Sequence, residues 1–283
     1  MNKLVLIAVV TMAACQADNR NLERKIDDLS KKVDQVIARG GAGAAMPRPP
    51  ASPEPDLAKT YAMPIDGDPV DGPADAKITV VKAYDYACPF CDRVRDTMDE
   101  LRKKYGNDLR IVFKQLIVHP QPATAGALAV CAANKQGKFL EMDKILWDKG
   151  FKGRQYDKDA TDNGQTQRCW DSAAGCPIIL GFAQELGLNA DKLKADMKGE
   201  GDCWKLIQKD QRDLQVLGVG GTPAFFINGR FLSGAQPMDK FVALIDEEMK
   251  KANEKIQAGT PAASYYQQVV LDKGLKQLDK PAQ

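Results

Sequence analysis

The sequence has one histidine, a formal net charge of +2 and no apolar segment long enough to cross a bilayer. A single histidine excludes a multi-histidine metal site and disfavours most Ser-His-Asp mechanisms. The balance of 40 Lys and Arg against 38 Asp and Glu gives no bulk attraction for nucleic acid, which needs a basic surface. The apolar residues 4–14 are too few for a membrane span, which takes about 20 residues. With 44% hydrophobic and 28% charged residues, the composition is globular, and it excludes a polytopic membrane protein and a fully disordered chain.

The cysteines and the N-terminus both indicate export from the cytosol. Seven cysteines are more than a reduced cytosolic enzyme usually carries without a redox or metal purpose. Residues 1–14 read as a signal peptide, with Lys3 before the apolar stretch, and the Met-Ala-Ala-Cys sequence that ends at Cys15 resembles a bacterial lipoprotein signal. We therefore expect lipidation of Cys15, with cleavage at a plain signal-peptidase site as the alternative. Gln16 after the cysteine favours the inner face of the outer membrane, so the predicted location is the periplasm.

Residues 15–38 predict a short coiled-coil stalk that follows the lipidated cysteine. Leu22, Ile26, Leu29, Val33 and Val36 recur at heptad spacing and are separated by polar residues. A helix this short is marginal alone, so burying the seam against other copies of the chain is the favoured interpretation, and a solvated spacer helix is the alternative. The β-branched a positions favour two strands, whereas the resemblance to the trimeric murein lipoprotein favours three, so both numbers stay open.

A linker and a globular domain follow the stalk. Residues 39–58 are rich in glycine and then in proline, which is typical of a flexible tether that becomes semi-extended. From Ala76 the pattern becomes that of strands and helices. We predict one domain over residues 59–258 and a C-terminal tail over 259–283, in which the tyrosines and valines favour a short docking helix.

The sequence Cys88-Pro89-Phe90-Cys91 lies between a predicted strand and a predicted helix. The run Lys77 to Tyr84 is β-branched, and the residues after Cys91 place their apolar side chains on one helical face. A thiol at a helix N-terminus faces unsatisfied N–H groups, which stabilise the thiolate, and proline is well tolerated in the first turn. Cys88 is therefore predicted to be exposed and to attack, and Cys91 to resolve, one turn further on.

Half of a zinc knuckle is the alternative interpretation of this pair. A structural zinc site needs a second pair of ligands, and the other cysteines supply no further Cys-x₂-Cys. We therefore expect no metal, and we expect no cofactor.

A second distinctive segment runs from Gly218 to Phe231. Its Asn228-Gly229 dipeptide between apolar runs predicts a type I′ hairpin. Pro223, at the start of a predicted strand and after a glycine-rich loop, suits a cis peptide bond.

Together, the segments 84–91 and 221–229 resemble the DsbA-like thiol-disulfide oxidoreductases. Segments around His119-Pro120, 123–133 and 137–139 add to the resemblance, which covers about residues 60–255. It implies an α/β thioredoxin-like fold with a helical subdomain inserted at about 120–215. It also implies that extended or misfolded client proteins and a membrane redox partner are the partners.

The same resemblance implies roles for the site residues. Cys88 attacks, Cys91 resolves, and Pro223 is cis and lies against the pair. The backbone at Thr222 pairs with an extended client chain, and Pro89 and Phe90 contact that chain. Exchange proceeds through a mixed disulfide.

Two features depart from the family pattern. Lys82 stands where the family usually has a buried acid that assists proton transfer from the resolving thiol. Asp85 matches a common family acid, but on a continuing strand it faces away from Lys82, so neither is assigned a catalytic role. Pro89-Phe90 lacks a histidine that could bond the thiolate, so we expect a weaker oxidant than members with Cys-Pro-His-Cys.

The remaining cysteines are predicted to form structural disulfides. Some family members carry a bridge between sites similar to Cys131 and Cys203, so the resemblance implies that pair. Cys169 and Cys176 lie near each other in an apparent insertion, where a short bridge would hold a polar loop. This is one of three connectivities that four cysteines allow.

The sequence thus predicts a periplasmic thiol-disulfide oxidoreductase, with oxidase and isomerase directions both open. Thr222 before Pro223 and a self-associating stalk tilt the choice slightly towards isomerase or reductase. The rival hypothesis is an envelope lipoprotein that acts as a binding scaffold with a retained redox fold. His119 could be a base near the pair, but a hydrogen-bonded residue at a strand end is favoured.

Overall fold

The structure is a computed structural model that describes residues 24–32, 34–35, 54–157, 160–162 and 165–278. It divides into two compact units, Met1–Ser52 and Pro53–Gln283. The predicted signal peptide, the lipidation site Cys15 and most of the linker lie outside the described residues.

In the first unit, residues 24–32 and 34–35 are helical. Ile26 and Leu29, two members of the predicted seam, are 56% and 62% exposed. The other three seam positions lie outside the residues whose side chains are described, so the coiled coil stays a prediction.

The second unit is built on a mixed five-stranded sheet. Its strands are β1 (Val70–Asp71), β2 (Ile78–Tyr84), β3 (Leu109–Gln115), β6 (Ala224–Ile227) and β7 (Arg230–Ser233). They lie in the order β1-β3-β2-β6-β7, in which only β2 and β3 are parallel. A separate antiparallel pair joins β4 (Ala160–Asp162) to β5 (Gln165–Gln167).

Helices cover both faces of the sheet and form the insertion. They are α1 (Pro89–Arg93), α2 (Arg95–Tyr105), α3 (Pro120–Asn134), α4 (Phe139–Ile145), α5 (Pro177–Glu185), α6 (Ala190–Asp196), α7 (Asp202–Val216), α8 (Met238–Gln257) and α9 (Ala262–Tyr265). Helix α4 continues into a π-helical turn at Leu146–Lys152, and α9 into another at Tyr266–Leu271. The thioredoxin-like α/β fold with an inserted helical subdomain is therefore confirmed, with the insertion running from α3 to α7.

Strand β2 is the central strand of the sheet, and every one of its residues is buried. Ile78, Val80 and Tyr84 face the larger apolar cluster, which includes the insertion. Val81 and Ala83, on the other side of the pleat, face a second cluster. A strand buried on both faces reads as a continuous apolar run, as this one does except at Thr79 and Lys82.

The hairpin after Pro223 has the predicted form. Strands β6 and β7 pair through Asn228-Gly229, both of which have positive φ. A side chain at Gly229 would lie 2.5 Å from the carbonyl oxygen of Tyr61, so the position has no room for a Cβ.

Two disulfides connect the helical insertion. Cys131 on α3 is joined to Cys203 on α7, and Cys169 is joined to Cys176 just before α5. These are the pairings that the sequence analysis favoured. Cys88 and Cys91 are free thiols.

The C-terminal tail packs into the second unit. Tyr265, Tyr266 and Val270 are buried in the second apolar cluster with Tyr61. The Tyr266 hydroxyl donates to the carbonyl oxygen of Met63 at 2.8 Å. The tail is therefore part of the same compact unit as the predicted domain.

No helix among the described residues is both long and apolar enough to cross a membrane.

Candidate active site

Cys88 is the residue that precedes helix α1, at the carboxyl end of the central strand. Strand β2 ends at Tyr84, and Pro89 occupies the first turn of the helix. Cys91 lies one turn on, and Cys88 and Cys91 are only 3% and 0% exposed. The structure therefore places the pair at the predicted strand-to-helix junction. The expected exposure of Cys88 is wrong, because its sulfur lies against the Thr222-Pro223 segment.

Asp85 fixes the loop that carries Cys88. Its carboxylate accepts hydrogen bonds from the backbone N–H groups of Ala87 at 2.6 Å, Val118 at 2.6 Å and His119 at 2.7 Å. The Cys88 N–H donates to the Asp85 carbonyl oxygen at 3.1 Å. Asp85 thus ties the loop after β2 to the loop after β3, a role that the sequence analysis did not assign.

The histidine lies at the edge of this arrangement. His119 Nδ1 is 3.2 Å from Asp85 Oδ2, and the imidazole is 49% exposed. His119 precedes the first residue of α3. The structure thus places it as a hydrogen-bonded residue after a strand, as the favoured interpretation expected.

The fold brings the Thr222-Pro223 segment against Cys88. The Thr222–Pro223 peptide bond is cis. The Cys88 Sγ donates to the carbonyl oxygen of Thr222 at 3.3 Å, across 134 residues of sequence. Strand β6 starts at the next residue and pairs Ala224 with Ala83 of β2, which sets this approach.

The surroundings of Cys88 favour its thiolate. They lower its pKa to about 5, first through the hydrogen bond from the Cys91 thiol and then through the side chain of Thr222 and the N–H groups of the first helical turn, against the opposing effect of burial. Comparable thiols have a pKa of about 7 in thioredoxin and about 3.5 in DsbA. The Cys88 pKa lies between these two values, and the expected weaker oxidant stays a prediction.

Cys91 is held in the opposite protonation state. Burial, and then the neighbouring Cys88, raise its pKa well above the ordinary range for cysteine. The surroundings of the pair therefore favour a thiolate at Cys88 and a protonated thiol at Cys91.

Lys82 is buried behind the pair, at 2% exposure. Its Nζ lies 5.0 Å from the centre of the Tyr84 ring and 5.7 Å from that of Phe113. Burial lowers the pKa of this amine, while the charges of Asp143 and Cys91 oppose that shift. The site therefore has a lysine where the family has an acid.

The acid that faces Lys82 comes from the helical insertion, and the sequence analysis missed it. Asp143 on α4 accepts from the Tyr86 hydroxyl at 2.7 Å and from Trp147 Nε1 at 3.2 Å. Burial raises its pKa, and Lys82 is the largest opposing influence. An available signal was its position four residues after Phe139 and next to Met142, which places a charged residue at the buried face of the helix.

Apolar side chains are exposed around Cys88. Phe90 is 49% exposed and Val118 is 42% exposed. The guanidinium of Arg93 lies 5.0 Å from the centre of the Phe90 ring. Pro89 is also exposed. This rim surrounds a sulfur that is itself mostly covered.

One group of potential metal ligands occurs among the described residues, at Asp157, Cys169 and Cys176. The two sulfur atoms are bonded to each other in the structure, so they offer no thiolate ligand in this state.

A cysteine pair at the start of a helix, facing a cis-proline on a mixed sheet, defines a protein of thioredoxin fold. The family model described as Thioredoxin matches residues 65–247, and the chain belongs to that family.

Solved structures share the fold. BdbD from Bacillus subtilis is 21% identical, with a TM-score of 0.56, and the match covers 70% of this chain and 100% of that one. A periplasmic thioredoxin-like protein from Salmonella enterica serovar Typhimurium is 22% identical, with a TM-score of 0.51, over 67% of this chain and 94% of that one. α-DsbA1 from Wolbachia pipientis is 17% identical, with a TM-score of 0.54, and the match covers 69% of this chain and 96% of that one. The similarity to the DsbA-like proteins is thus confirmed at the level of the fold.

Curated relatives carry a different name. A protein named Na⁺/H⁺ antiporter NhaA from Herminiimonas arsenicoxydans is 30% identical over 197 residues, which are 68% of this chain and 27% of that protein. One from Mycolicibacterium vanbaalenii, named Na⁺/H⁺ antiporter NhaA 1, is 32% identical over 58% of this chain and 24% of the relative. The chain thus spans about a quarter of the length of these relatives.

Proposed function

We propose that this protein is a periplasmic thiol-disulfide oxidoreductase that exchanges disulfides with client proteins through Cys88 and Cys91. The observation that carries the proposal is the division between the two sulfurs, with the pKa of Cys88 lowered to about 5 and that of Cys91 raised. Only a thiolate attacks a disulfide, and a protonated neighbour does not compete with it.

The exchange begins with attack of the Cys88 thiolate on a client disulfide. One client sulfur leaves as a thiolate, and the other is joined to Cys88. Cys91 then loses its proton and attacks Cys88 Sγ, which releases the second client sulfur and closes the Cys88–Cys91 disulfide. The client gains two electrons in this direction, and the same steps in reverse oxidise it.

Client chains are proposed to bind along Thr222 and the exposed rim. The backbone at Thr222 lies within hydrogen-bond distance of Cys88, so an extended chain paired there would present its disulfide to the sulfur. Phe90 and Pro89 are exposed beside it and can contact apolar side chains. Main-chain pairing of this kind favours a broad range of extended or misfolded clients.

The proposed location and partners follow from the N-terminal sequence. A lipid on Cys15 would anchor the protein at the periplasmic face of the outer membrane, and residues 39–58 would tether the domain. The exposed Ile26 and Leu29 support self-association through residues 22–36. Net oxidation or reduction of a client changes the redox state of the pair, and a membrane redox partner is proposed to restore it.

The antiporter name of the curated relatives gives no argument for ion transport by this chain. The match covers 27% of the Herminiimonas protein, and it overlaps the part of this chain that belongs to the thioredoxin family.

Reactivation of scrambled, fully oxidised ribonuclease in a mild thiol buffer tests the proposal. We expect residues 16–283 to reactivate the enzyme and residues 42–283, which lack the stalk, to do so poorly, because several domains around one client raise the effective concentration of attacking thiols. Both forms should exchange disulfides, and Cys88→Ser should remove exchange in each.

Two other outcomes are informative. If both forms oxidise reduced ribonuclease equally and neither reshuffles the scrambled enzyme, the protein is an oxidase and the stalk is a spacer. If neither form changes any ribonuclease disulfide, the proposed function is wrong.

A further inference from the structure

A chain of hydrogen bonds runs beneath the active-site helix and ends on Asp143. The Gln115 side-chain amide donates to the Tyr84 hydroxyl at 2.6 Å. The Tyr84 and Tyr86 hydroxyl oxygens are 3.2 Å apart, and the Tyr86 hydroxyl donates to Asp143 Oδ1 at 2.7 Å. Gln115, Tyr84 and Tyr86 are all buried, so these groups depend on one another for partners.

The hydrogen bonds in this series all point towards Asp143, because an ionised carboxylate can accept hydrogen bonds but cannot donate them. Tyr86 must give its hydrogen to Asp143, which leaves its oxygen to accept from the Tyr84 hydroxyl. The Tyr84 oxygen in turn accepts from Gln115. Trp147 Nε1 adds a second donor to the same Asp143 oxygen at 3.2 Å. Donors aligned in this way favour the charged carboxylate against the cost of its burial.

Lys82 shares the same buried space. It lies on the same face of β2 as Tyr84, two residues along the strand, and its Nζ contacts the Tyr84 ring. The face belongs to the cluster that contains Cys91, Tyr86 and Trp147. The charges of both Asp143 and Cys91 act on the Lys82 amine, so the three groups share one buried electrostatic environment.

We propose that Asp143, kept ionised by the donor chain of Tyr86, Tyr84 and Gln115, is a positioning residue that enables the Lys82 amine to take the proton of Cys91. The inference deepens the proposed function and rests on it. The helical insertion thus supplies the negative charge that the strand position itself lacks.

The proton transfer from Cys91 precedes closure of the Cys88–Cys91 disulfide. In the mixed disulfide, the Cys91 S–H bond breaks and its proton passes to Lys82 Nζ. The Cys91 thiolate attacks Cys88 Sγ, the bond from Cys88 to the client breaks, and the client sulfur leaves with the electron pair. The ammonium formed on Lys82 is stabilised by the Asp143 carboxylate, which is why the acid matters without touching sulfur.

Other charges face Lys82 from the elements around it. Cys91 comes from α1, Arg95 and Asp99 come from α2, and Asp143 comes from α4. Arg95 is engaged by Asp92 at 3.3 Å and by Asp148 at 3.0 Å, so its positive charge is largely offset. Asp99 is exposed and is the weakest of these influences.

The test separates the two sulfurs with 5,5′-dithiobis(2-nitrobenzoate) and the reduced full chain. Attack by Cys88 releases one thionitrobenzoate, and attack by Cys91 on the resulting mixed disulfide releases a second. For Tyr86→Phe and Asp143→Asn we expect an unchanged first phase. The second phase should be about tenfold slower at neutral pH, because without the carboxylate charge the Lys82 amine is a weaker base by about one pKa unit. The inflection at which Lys82 loses its proton should therefore move to lower pH in the pH profile of the second phase.

Tyr105→Phe is the matched control, since its hydroxyl donates to Asp246 at 2.7 Å on another part of the domain. It should leave both phases unchanged. Tyr86→Phe keeps the buried ring, and Asp143→Asn provides a second variant if one folds poorly. An unchanged pH profile of the second phase in both variants would overturn the inference, whereas absence of the first phase in the native protein would overturn the proposed function instead.

Discussion

Replacing Cys91 with serine is expected to leave the protein covalently joined to its clients through Cys88. The Cys88 thiolate can still attack, but without the resolving thiol the mixed disulfide has no internal route to release. In Cys88→Ser the attacking sulfur is lost, so exchange should fall by about a thousandfold or more, because the protonated and buried Cys91 cannot replace it. Non-reducing gels with scrambled ribonuclease, followed by mass spectrometry of the adduct, measure both effects.

The double variant Cys88→Ser/Cys91→Ser is the control and should form no adduct. Adducts that persist in this variant, or that map to a cysteine other than Cys88 in Cys91→Ser, would contradict the assignment of the attacking sulfur.

Removing the Cys131–Cys203 bridge is expected to lower the free energy of unfolding by more than removing the Cys169–Cys176 bridge does. The two bridges close segments with sequence separations of 72 and 7. A longer closed loop restricts the unfolded chain more, so double alanine variants should lower the free energy of unfolding by about 4 and about 2.5 kcal/mol respectively, as upper values. Urea unfolding of each variant, with Cys88 and Cys91 held reduced, gives the two differences.

The buried position of Cys131 also favours a larger loss of stability when the long bridge is removed. Cys131 lies on α3, where every residue from Ala123 to Ala133 is buried, so the long bridge fixes the helix at the centre of the insertion. Equal losses for the two variants, or a larger loss for the short bridge, would contradict the view that the long bridge is the main covalent constraint of the insertion.

Local patterns in the sequence were sufficient to predict the attacking half of the site. The β-branched run to Tyr84, the proline after Cys88 and the apolar stripe of the next helix each act over a few residues, and each forms as expected. Asn228-Gly229 is local in the same way. Thr222-Pro223 could be placed against Cys88 only through the family resemblance, because no local rule connects residues so far apart.

The buried charged groups behind the cysteine pair could not be predicted together, because their arrangement depends on tertiary packing. The sequence shows that Lys82 is unusual, but not that Asp143 from an inserted helix faces it or that Tyr86 donates to that acid. Gly126 on α3 gives a further example. A Cβ there would lie 3.2 Å from the Tyr86 ring, so the glycine makes room for the phenol. Only the folded chain relates these positions.

The packing partner of the C-terminal tail also could not be predicted from the sequence. Tyr265 and Tyr266 predicted a docking helix, but the surface they contact includes Tyr61, which precedes the first strand. These two segments are far apart in the sequence, and no periodic pattern in either of them identifies the other as its packing partner. The predicted boundary at residue 258 therefore separated segments that share an apolar cluster.

Titration of the Cys88 thiolate tests the central claim most directly. The ultraviolet absorbance of the reduced protein, with Cys88→Ser as the blank, reports the ionised sulfur as pH rises. The structure predicts a midpoint near 5, so that Cys88 is almost wholly ionised, and reacts with iodoacetamide at its maximal rate, at neutral pH. A midpoint near the ordinary value of about 8.5 would contradict the account, because Cys88 would then be mostly protonated and no better a nucleophile than a free cysteine.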